Sequence, residues 1–358
     1  MHQLEAFYEL APRPVGFMER KYEIPSYSLN LHGPPLCGKT WLALDHLQRL
    51  PGRRSLYIDL SDPRIDEKSL YANLQDFIDT HGIETVILDH CLDTPPFLPK
   101  CRQVLLLSQQ PLEGFPLLPK LPVSPLDFEE FLAFETRHLQ PQHSFSLYLK
   151  TGRLPHMAKT AESLITLRLH ETVRRLFPDP LERQLFKVLA AFNGKSVTPH
   201  HIYTLLKRDH ALSKDRLYAT LKRWEMRGIL QWVAKTDRPK AARRLLLFDF
   251  ALPASMYFEK SLMGQLYTIA AQRLHHLTPE MTWSDGIDLF DPLERHAYLL
   301  SPFANPEGTA QKIAKAGSEL DRLKARKITV LTIANTFEFR FDHIRVQAKP
   351  FYEWVVEE

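Results

Sequence analysis

The sequence contains only three cysteines, Cys37, Cys91 and Cys101, and their spacing fits no metal-binding motif. Three cysteines cannot all be paired, so a reducing cytoplasm is the expected compartment. No stretch approaches the roughly 20 apolar residues that a membrane-spanning helix needs. The first ten residues include Glu5 and Glu9 and lack the apolar run of a secretory signal. The cysteines and the lack of such apolar segments lead us to expect a cytoplasmic protein without a membrane partner. Internal repeats and low-complexity tracts are also absent.

The composition of 44% apolar and 25% charged residues is that of an ordinary globular protein. A length of 358 residues suggests two or three domains. In the first two-fifths, short apolar runs alternate with amphipathic segments. The runs Thr85–Asp89 and Val104–Ser108 are continuous, as expected for parallel strands covered on both faces. This alternation predicts an α/β layer domain.

The remaining chain predicts three further parts. A proline-rich stretch, Pro111–Pro125, leads out of the first domain, and Pro178 and Pro180 mark a later boundary. We therefore expect a core domain over 1–125, a helical lid over 126–178, a helix-rich domain with a hairpin over 179–250, and a small α+β domain over 256–358.

The segment GPPLCGKT matches the pattern G-x-x-x-x-G-K-[ST] of a phosphate-binding loop. It lies between an expected strand and an expected helix, which is the context that this motif requires. Its glycines let the backbone wrap around phosphates, and the helix N-terminus favours negative charge. We expect these residues to bind ATP: Gly33, Pro34, Pro35, Leu36, Cys37, Gly38, Lys39 and Thr40.

Three further residues are candidates for the same site. Asp89 ends an apolar strand, and together with the Thr40 hydroxyl it is expected to hold Mg²⁺. His90 follows Asp89 at the position where ATPases of this kind usually carry a glutamate that activates water. A neutral histidine can serve as a base, so His90 is a catalytic candidate, and Asp93 on the same loop is the alternative. Ser108, at the end of the next strand, is placed like a γ-phosphate sensor, although an ordinary polar strand end is an equal alternative.

At these residues the chain resembles the AAA+ ATPases, whose loop reads GPPGTGKT. The segments LPVSPLDFEEFL (121–132) and YLKTGRLP (148–155) are similar to elements of a prokaryotic AAA+ subgroup. That resemblance implies a P-loop domain with a helical lid, then a winged helix, then a C-terminal domain related to restriction endonucleases. The chain departs from the pattern at Leu36 and Cys37, at His90, and at Arg153, which stands where the subgroup has a second glycine.

The region 196–244 has twelve basic and four acidic residues, a net charge of +8 in a chain whose total is +4. Helix-start signals at Thr198 and Ser213 and a later hairpin predict a winged helix. Its cations give the charge pattern expected for contacts with DNA phosphates. A lid that never meets DNA is the alternative. The candidate DNA-binding residues are Lys214, Arg216, Lys222, Arg223, Lys235, Arg238 and Lys240.

The C-terminal domain is expected to lack nuclease activity. Asp288 lies near the position of a metal-binding aspartate, but the next apolar run offers Leu299, Leu300 and Ser301 where a carboxylate and a lysine are needed. This domain is then expected to dock DNA or a protein partner. For the whole chain, we expect a DNA-associated ATPase that hydrolyses slowly; a non-hydrolysing signalling or scaffold protein that docks a protein partner is the alternative.

Overall fold

The computed structural model describes residues 2–9, 19–50, 54–135, 140–238, 240–259 and 261–357. The chain divides into two compact units. The first contains residues 1–126 together with the short segment Met226–Ile229, and the second contains 127–225 and 230–358.

The first unit alternates strands and helices along residues 2–122. Its elements are α1 (His2–Glu9), β1 (Leu29–His32), α2 (Lys39–Gln48), β2 (Ser55–Asp59), α3 (Glu67–His81), β3 (Thr85–Cys91), β4 (Gln103–Ser108) and β5 (Lys120–Pro122).

The five strands form one parallel sheet in the order β2-β3-β4-β1-β5. Alternate residues of β3 enter two different apolar cores, since Val86 and Leu88 pack in one and Ile87 packs in the other. The sheet is therefore buried on both faces, which explains why its strands read as continuous apolar runs. In this order, the carboxyl ends of β1, β3 and β4 meet at one edge of the sheet. The phosphate-binding loop follows β1, His90 lies near the end of β3, and Gln109 follows β4.

The second unit begins with helices. They are α4 (Phe128–Phe134), α5 (Pro141–Thr151), α6 (Pro155–Ala158) and α7 (Ile165–Leu176), with a 3-10 turn at Glu162–Leu164. Asp127 caps α4 by accepting a bond from the Glu130 amide, and the Glu130 side chain accepts from the Asp127 amide in return. The rings of Phe128 and Phe131 lie 5.3 and 5.0 Å from that of Tyr148. The two segments that resemble the AAA+ subgroup thus pack on one another.

Gly152 ends α5 with φ +81, and its neighbour is the buried carboxylate of Asp249. A Cβ at residue 152 would lie 2.4 Å from Asp249 Oδ2, so only glycine fits. The same oxygen accepts a hydrogen bond from the Arg153 amide at 2.6 Å, and Oδ1 accepts from the amides of Ala251 and Leu252. Gly152 and Arg153 therefore anchor α5 to a distant part of the second unit.

The next part combines three helices with a small antiparallel sheet. Its elements are α8 (Pro180–Ala191), β6 (Ser196–Val197), α9 (Pro199–Lys207), α10 (Lys214–Met226), β7 (Leu230–Val233) and β8 (Arg243–Leu247). The strand order is β6-β8-β7. The Thr198 hydroxyl caps α9, as its sequence predicts, and Gly228 follows α10 with φ +65. This is a winged-helix arrangement, in which residues 234–242 form the wing; Pro239 lies outside the described residues.

The last part is a six-stranded mixed sheet with helices. After a short helix, α11 (Ala251–Ala254), its elements are α12 (Leu262–Leu277), β9 (Thr282–Ser284), β10 (Ile287–Asp291), β11 (His296–Leu300), α13 (Pro306–Lys315), α14 (Gly317–Arg322), β12 (Lys327–Thr332), β13 (Phe337–Phe341), β14 (Ile344–Pro350) and α15 (Phe351–Trp354). The order is β13-β14-β12-β11-β10-β9, with β11, β12 and β14 parallel.

The wing continues onto this sheet through its backbone. The Thr236 amide donates to the Trp283 carbonyl at 2.9 Å, and the Trp283 amide donates to the Ala234 carbonyl at 3.1 Å. The Lys235 ammonium lies 2.6 Å from the Asp285 carboxylate and 5.0 Å from the centre of the Trp283 ring. The wing is thereby joined to strand β9 within the second unit.

The predicted fold class, a parallel-sheet P-loop domain followed by helical, winged-helix and α+β parts, is confirmed. Element ends differ from the sequence expectations by a few residues; the expected strand Thr85–Asp89, for example, continues to Cys91. The finer domain boundaries stay a prediction.

Candidate nucleotide site

The loop Gly33–Thr40 connects β1 to α2 in a conformation that depends on its glycines. A Cβ at Gly33 would lie 2.0 Å from the Val123 carbonyl oxygen, so a larger residue does not fit. Gly38 has φ +102 and directly precedes Lys39, the first residue of α2. The loop thus ends at a helix N-terminus, where backbone amides and the helix dipole attract phosphate.

The two departures from the family loop have clear structural settings. Leu36 has φ +61, a left-handed conformation that costs a side-chain-bearing residue roughly 1–2 kcal/mol and that a glycine adopts without strain. Cys37 is fully buried, and its carbonyl accepts a hydrogen bond of 2.9 Å from Arg20 Nη1. Arg20 Nη2 also donates to the Ser124 carbonyl at 2.8 Å. Arg20 therefore ties the backbone of the loop to the segment at Ser124. No sequence motif indicates this role.

The Lys39 ammonium lies inside the loop that it belongs to. Its Nζ donates to the carbonyl oxygens of Gly33 and Pro34, both at 2.9 Å. These acceptors are uncharged, so the bonds position the ammonium without neutralising it. The positive charge is held where the loop would surround a phosphate group.

The next residue, Thr40, contacts the end of strand β3. Its hydroxyl donates to Asp89 Oδ2 at 2.6 Å, and the Tyr57 hydroxyl donates to the same oxygen at 2.8 Å. Asp89 is only 2% exposed. Burial and the Asp89 charge raise the pKa of Tyr57, so that hydroxyl stays protonated and acts as a donor. The structure therefore brings the two predicted magnesium ligands together, and it adds Tyr57, which orients the carboxylate.

This pair of oxygen donors fits Mg²⁺. Magnesium in nucleotide sites is usually held by one or two protein oxygens, with water and phosphate supplying the remaining ligands. Among the described residues, no group of three or more histidine, cysteine or acidic side chains is placed to form an all-protein metal site. Thr40 and Asp89 are the residues that would hold the ion.

His90 lies within β3 beside Asp89, where the pairing with β4 is irregular. It has φ +58, and its amide donates to Asp89 Oδ1 at 2.7 Å. Its imidazole Nδ1 lies 2.8 Å from Asp59 Oδ1, at the end of the neighbouring strand β2. Asp59 and Asp89 are register partners, which explains this proximity. The side chain of His90 is about half exposed, so water can reach it.

Ser108, the predicted phosphate sensor, is engaged within the sheet. It is 2% exposed. Its hydroxyl donates to the Gln110 carbonyl at 2.6 Å and accepts from Asn30 Nδ2 at 2.9 Å. Asn30 also accepts from the Leu112 amide, so it fixes the chain that follows β4. These bonds favour the structural alternative for Ser108.

The predicted DNA-binding cations differ in their surroundings. Lys214, Arg216, Lys222 and Arg223 are exposed on α10. Arg216 pairs with Asp179 at 3.2 Å, and Arg223 pairs with Glu182. In the wing, Arg238 and Lys240 are exposed, whereas the Lys235 side chain is 13% exposed and bound to Asp285.

Asp288, on β10, is surrounded by donors. Its Oδ2 accepts from the Leu300 amide at 2.8 Å and lies 3.8 Å from the Lys312 ammonium. Its Oδ1 lies 3.3 Å from Arg244 Nη1, and that guanidinium sits over the Trp283 ring. Two cations therefore occupy the surroundings of the carboxylate that a nuclease would use for metal.

Comparisons with known proteins add little to this description. No family model and no curated protein matches the sequence. Among solved structures, the ORC1 protein of Aeropyrum pernix, in complex with DNA, is similar with 14% identity and a TM-score of 0.33. The match covers 65% of this chain and 87% of that one. A score this low carries no argument, so the assignment of the fold depends on the strand order and the loop. In the described residues, no helix is long and apolar enough to cross a membrane.

Proposed function

We propose that this protein binds ATP with Mg²⁺ at the loop Gly33–Thr40 and belongs to the AAA+ type of P-loop ATPase. The observation that carries the proposal is the 2.6 Å contact between Thr40 and Asp89, one residue from Lys39. It places a hydroxyl, a buried carboxylate and an ammonium at one edge of the sheet, beside a helix N-terminus.

Each group has a definite task in this proposal. The loop amides and Lys39 bind the phosphates, and Thr40 and Asp89 hold the metal ion, with Tyr57 keeping the carboxylate in place. Magnesium, when bound, neutralises phosphate charge and orients the terminal group. Arg20 keeps the loop backbone in its phosphate-binding conformation.

Titration calorimetry with ATP and Mg²⁺ tests the proposal. Lys39→Ala removes the ammonium, and Asp89→Asn removes the carboxylate charge; each should weaken binding about tenfold to a hundredfold, since charge-assisted bonds contribute about 1.5–3 kcal/mol. Lys68→Ala, an exposed lysine on α3, is the matched control and should bind like the wild type. Equal ATP affinity in the wild type and Lys39→Ala would exclude this site.

A second function, binding of duplex DNA, is supported by the exposed cations of α10. Lys214 and Lys222 keep their charge at the surface, and Arg238 and Lys240 add two more in the wing. We propose phosphate contacts without reading of base sequence, because α10 presents no asparagine or glutamine for base edges. In this proposal the C-terminal part is not a nuclease, because Arg244 and Lys312 surround Asp288. It serves instead as a docking surface for DNA or a protein.

A further inference from the structure

Strand β13 (Phe337–Phe341) forms one edge of the six-stranded sheet. It pairs antiparallel with β14 on one side, and among the described residues no strand lies on its other side. Each of its five residues is exposed or half-buried. The opposite edge of the sheet, β9, is instead continued by the backbone of the wing. An open edge of this kind offers backbone donors and acceptors to another strand.

The hairpin geometry shows which backbone groups of β13 face the open edge. A turn of two residues joins β13 to β14, so Phe341 faces Ile344. The pair that closes such a turn is hydrogen-bonded, and hydrogen-bonded pairs then alternate along the two strands. The backbone groups of the three phenylalanines therefore point to β14. Those of Glu338 and Arg340 point to the open edge.

The side chains of β13 alternate between the two faces of the sheet. Phe337, Phe339 and Phe341 pack against the apolar core of this sheet and are half-buried. Glu338 and Arg340 lie on the other face and are exposed. The sequence Phe-Glu-Phe-Arg-Phe is thus symmetric in shape about its central residue, while its two charges have opposite signs.

The exposed face of the hairpin has more positive than negative charge. Arg340 faces Arg345 across the two strands, and like charges in this position repel. Arg345 Nε donates to Glu338 Oε1 at 2.6 Å. This bond lowers the pKa of Glu338, and the charges of both arginines act in the same direction. Two arginines share one carboxylate, so a second carboxylate beside Arg340 would be favourable.

We infer that β13 pairs antiparallel with β13 of a second copy of this chain, with a two-fold axis at Phe339. Glu338 of each copy then faces Arg340 of the other. These are the residues whose backbone groups point to the open edge, so each pair exchanges two hydrogen bonds. On the opposite face the phenylalanines of the two copies meet as cross-strand aromatic pairs. The two sheets become one, in an assembly with two-fold symmetry.

The order of the charges selects this register. Charged side chains often protect an open edge from pairing, because most alignments bring like charges together. A shift of two residues in one direction would place Glu338 opposite Glu338. A shift in the other direction would place Arg340 opposite Arg340. A shift of one residue would place phenylalanines opposite charged side chains. The alignment centred on Phe339 avoids all of these conflicts.

The expected dimer is weak. Five residues from each copy make an interface smaller than the roughly 1,200 Å² at which specific, stable complexes begin. Sedimentation of the full chain, without nucleotide or DNA, measures the association. The wild type should form a dimer with a dissociation constant of about 10–100 μM that reverses on dilution. This inference does not depend on nucleotide or DNA binding.

Two single variants test the pairing of charges. Glu338→Arg and Arg340→Glu each place like charges opposite one another, so each should raise the dissociation constant at least about tenfold. A mixture of the two variants should form a heterodimer, because each copy supplies the charge that the other needs. A chain that carries both substitutions should dimerise like the wild type. Asp321→Arg and Lys315→Glu make the same changes of net charge at exposed positions of α14 and α13, and they are the matched controls.

Melting temperatures establish that each variant folds, and Arg340→Gln, which only removes a charge, retains a readout if a reversed variant does not. A wild type that stays monomeric at about 200 μM would overturn the inference and leave the edge to a strand of another protein. Self-association that both single variants retain would also overturn it, by placing the contact on another surface. The same conclusion would follow if the mixed variants failed to associate.

Discussion

The imidazole Nδ1 of His90 lies 2.8 Å from the carboxylate of Asp59. A carboxylate only accepts hydrogen bonds, so this contact places the proton on Nδ1 and leaves Nε2 of the neutral ring as an acceptor. Asp59 Oδ1 also accepts from the amide and the hydroxyl of Ser61, at 3.0 and 2.7 Å. The hydrogen bond to Asp59 therefore holds the imidazole ring beside Asp89.

Hydrolysis of ATP should be slow, because a histidine stands where the AAA+ ATPases that this loop resembles carry a glutamate. If Nε2 of His90 accepts the proton of the attacking water, His90→Ala should lower the steady-state rate at least about a hundredfold, the lower end of the range for a general base. Phosphate release measured at saturating ATP checks this. Asp321→Asn, an exposed acidic residue on α14, is the matched variant and should keep the rate.

Two outcomes bear on the role of His90. A higher rate in His90→Glu would mean that the histidine impairs an otherwise complete site. An undiminished rate in His90→Ala would assign the base elsewhere.

Binding to duplex DNA should depend on salt, and the four cations of α10 should contribute unequally. The pair Lys214→Gln with Lys222→Gln should weaken binding more than Arg216→Gln with Arg223→Gln, because the arginines already pair with Asp179 and Glu182. Each lost phosphate contact should reduce the slope of log affinity against log salt by about 0.9. Fluorescence anisotropy with unrelated duplexes measures both quantities.

The control for DNA binding is Lys324→Gln with Lys327→Gln, two exposed lysines near strand β12. This pair should leave affinity and salt slope nearly unchanged. Absence of binding by the wild type at low salt would contradict a role in DNA association.

The C-terminal sheet should not cleave DNA. Arg244 and Lys312 already surround the Asp288 carboxylate, and β11 supplies leucines where further ligands would be needed. Plasmid DNA incubated with the protein and Mg²⁺ or Mn²⁺ should stay supercoiled. Asp288→Asn should instead lower the free energy of unfolding by about 1–2 kcal/mol, since it leaves two cations without their carboxylate. Metal-dependent nicking that disappears in Asp288→Asn would reverse this interpretation.

Folding stability should fall in acid partly because of His296. Burial lowers the pKa of this imidazole from 6.5 to about 3, while Nε2 lies 2.8 Å from the Thr329 hydroxyl and the ring stacks on Tyr298. The unfolded chain takes up the proton first, so the stability present above pH 6.5 is lost as the pH falls toward 3. From pH 7.5 to 5.5 the loss should be about 1.4 kcal/mol.

Urea unfolding of His296→Gln at both pH values isolates this contribution, since glutamine can still bond to Thr329 and carries no titrating ring. The variant should show a pH dependence smaller by that amount. His343→Gln, an exposed histidine of the same unit, should keep the wild-type dependence. Identical slopes in wild type and His296→Gln would show that this ring does not carry the effect.

The sequence was sufficient for features that are local in the chain. The loop Gly33–Thr40 follows a fixed spacing, and the apolar runs of β3 and β4 predict strands buried on both faces. By contrast, Arg20, Tyr57 and Asp59 reach the site from separate segments, through the strand register or through tertiary packing. No spacing rule connects them to the loop. Asp59 carried a signal in the sequence, because it follows an apolar run as Asp89 does.

Ser108 and Lys235 also show that the sequence does not predict tertiary contacts. Position along a strand or a wing made both functional candidates. Only the three-dimensional neighbours reveal that Asn30 and Gln110 satisfy the Ser108 hydroxyl, and that Asp285 holds Lys235.

The backbone bonds between the wing and strand β9 imply that the last third of the chain is not a detachable module. Cutting the chain near residue 260 would leave the Ala234 carbonyl and the Thr236 amide without their partners on Trp283. It would also expose the aliphatic part of the Lys235 side chain to solvent. A winged helix excised on its own would therefore have a frayed hairpin, and its affinity for any ligand would understate that of the intact protein.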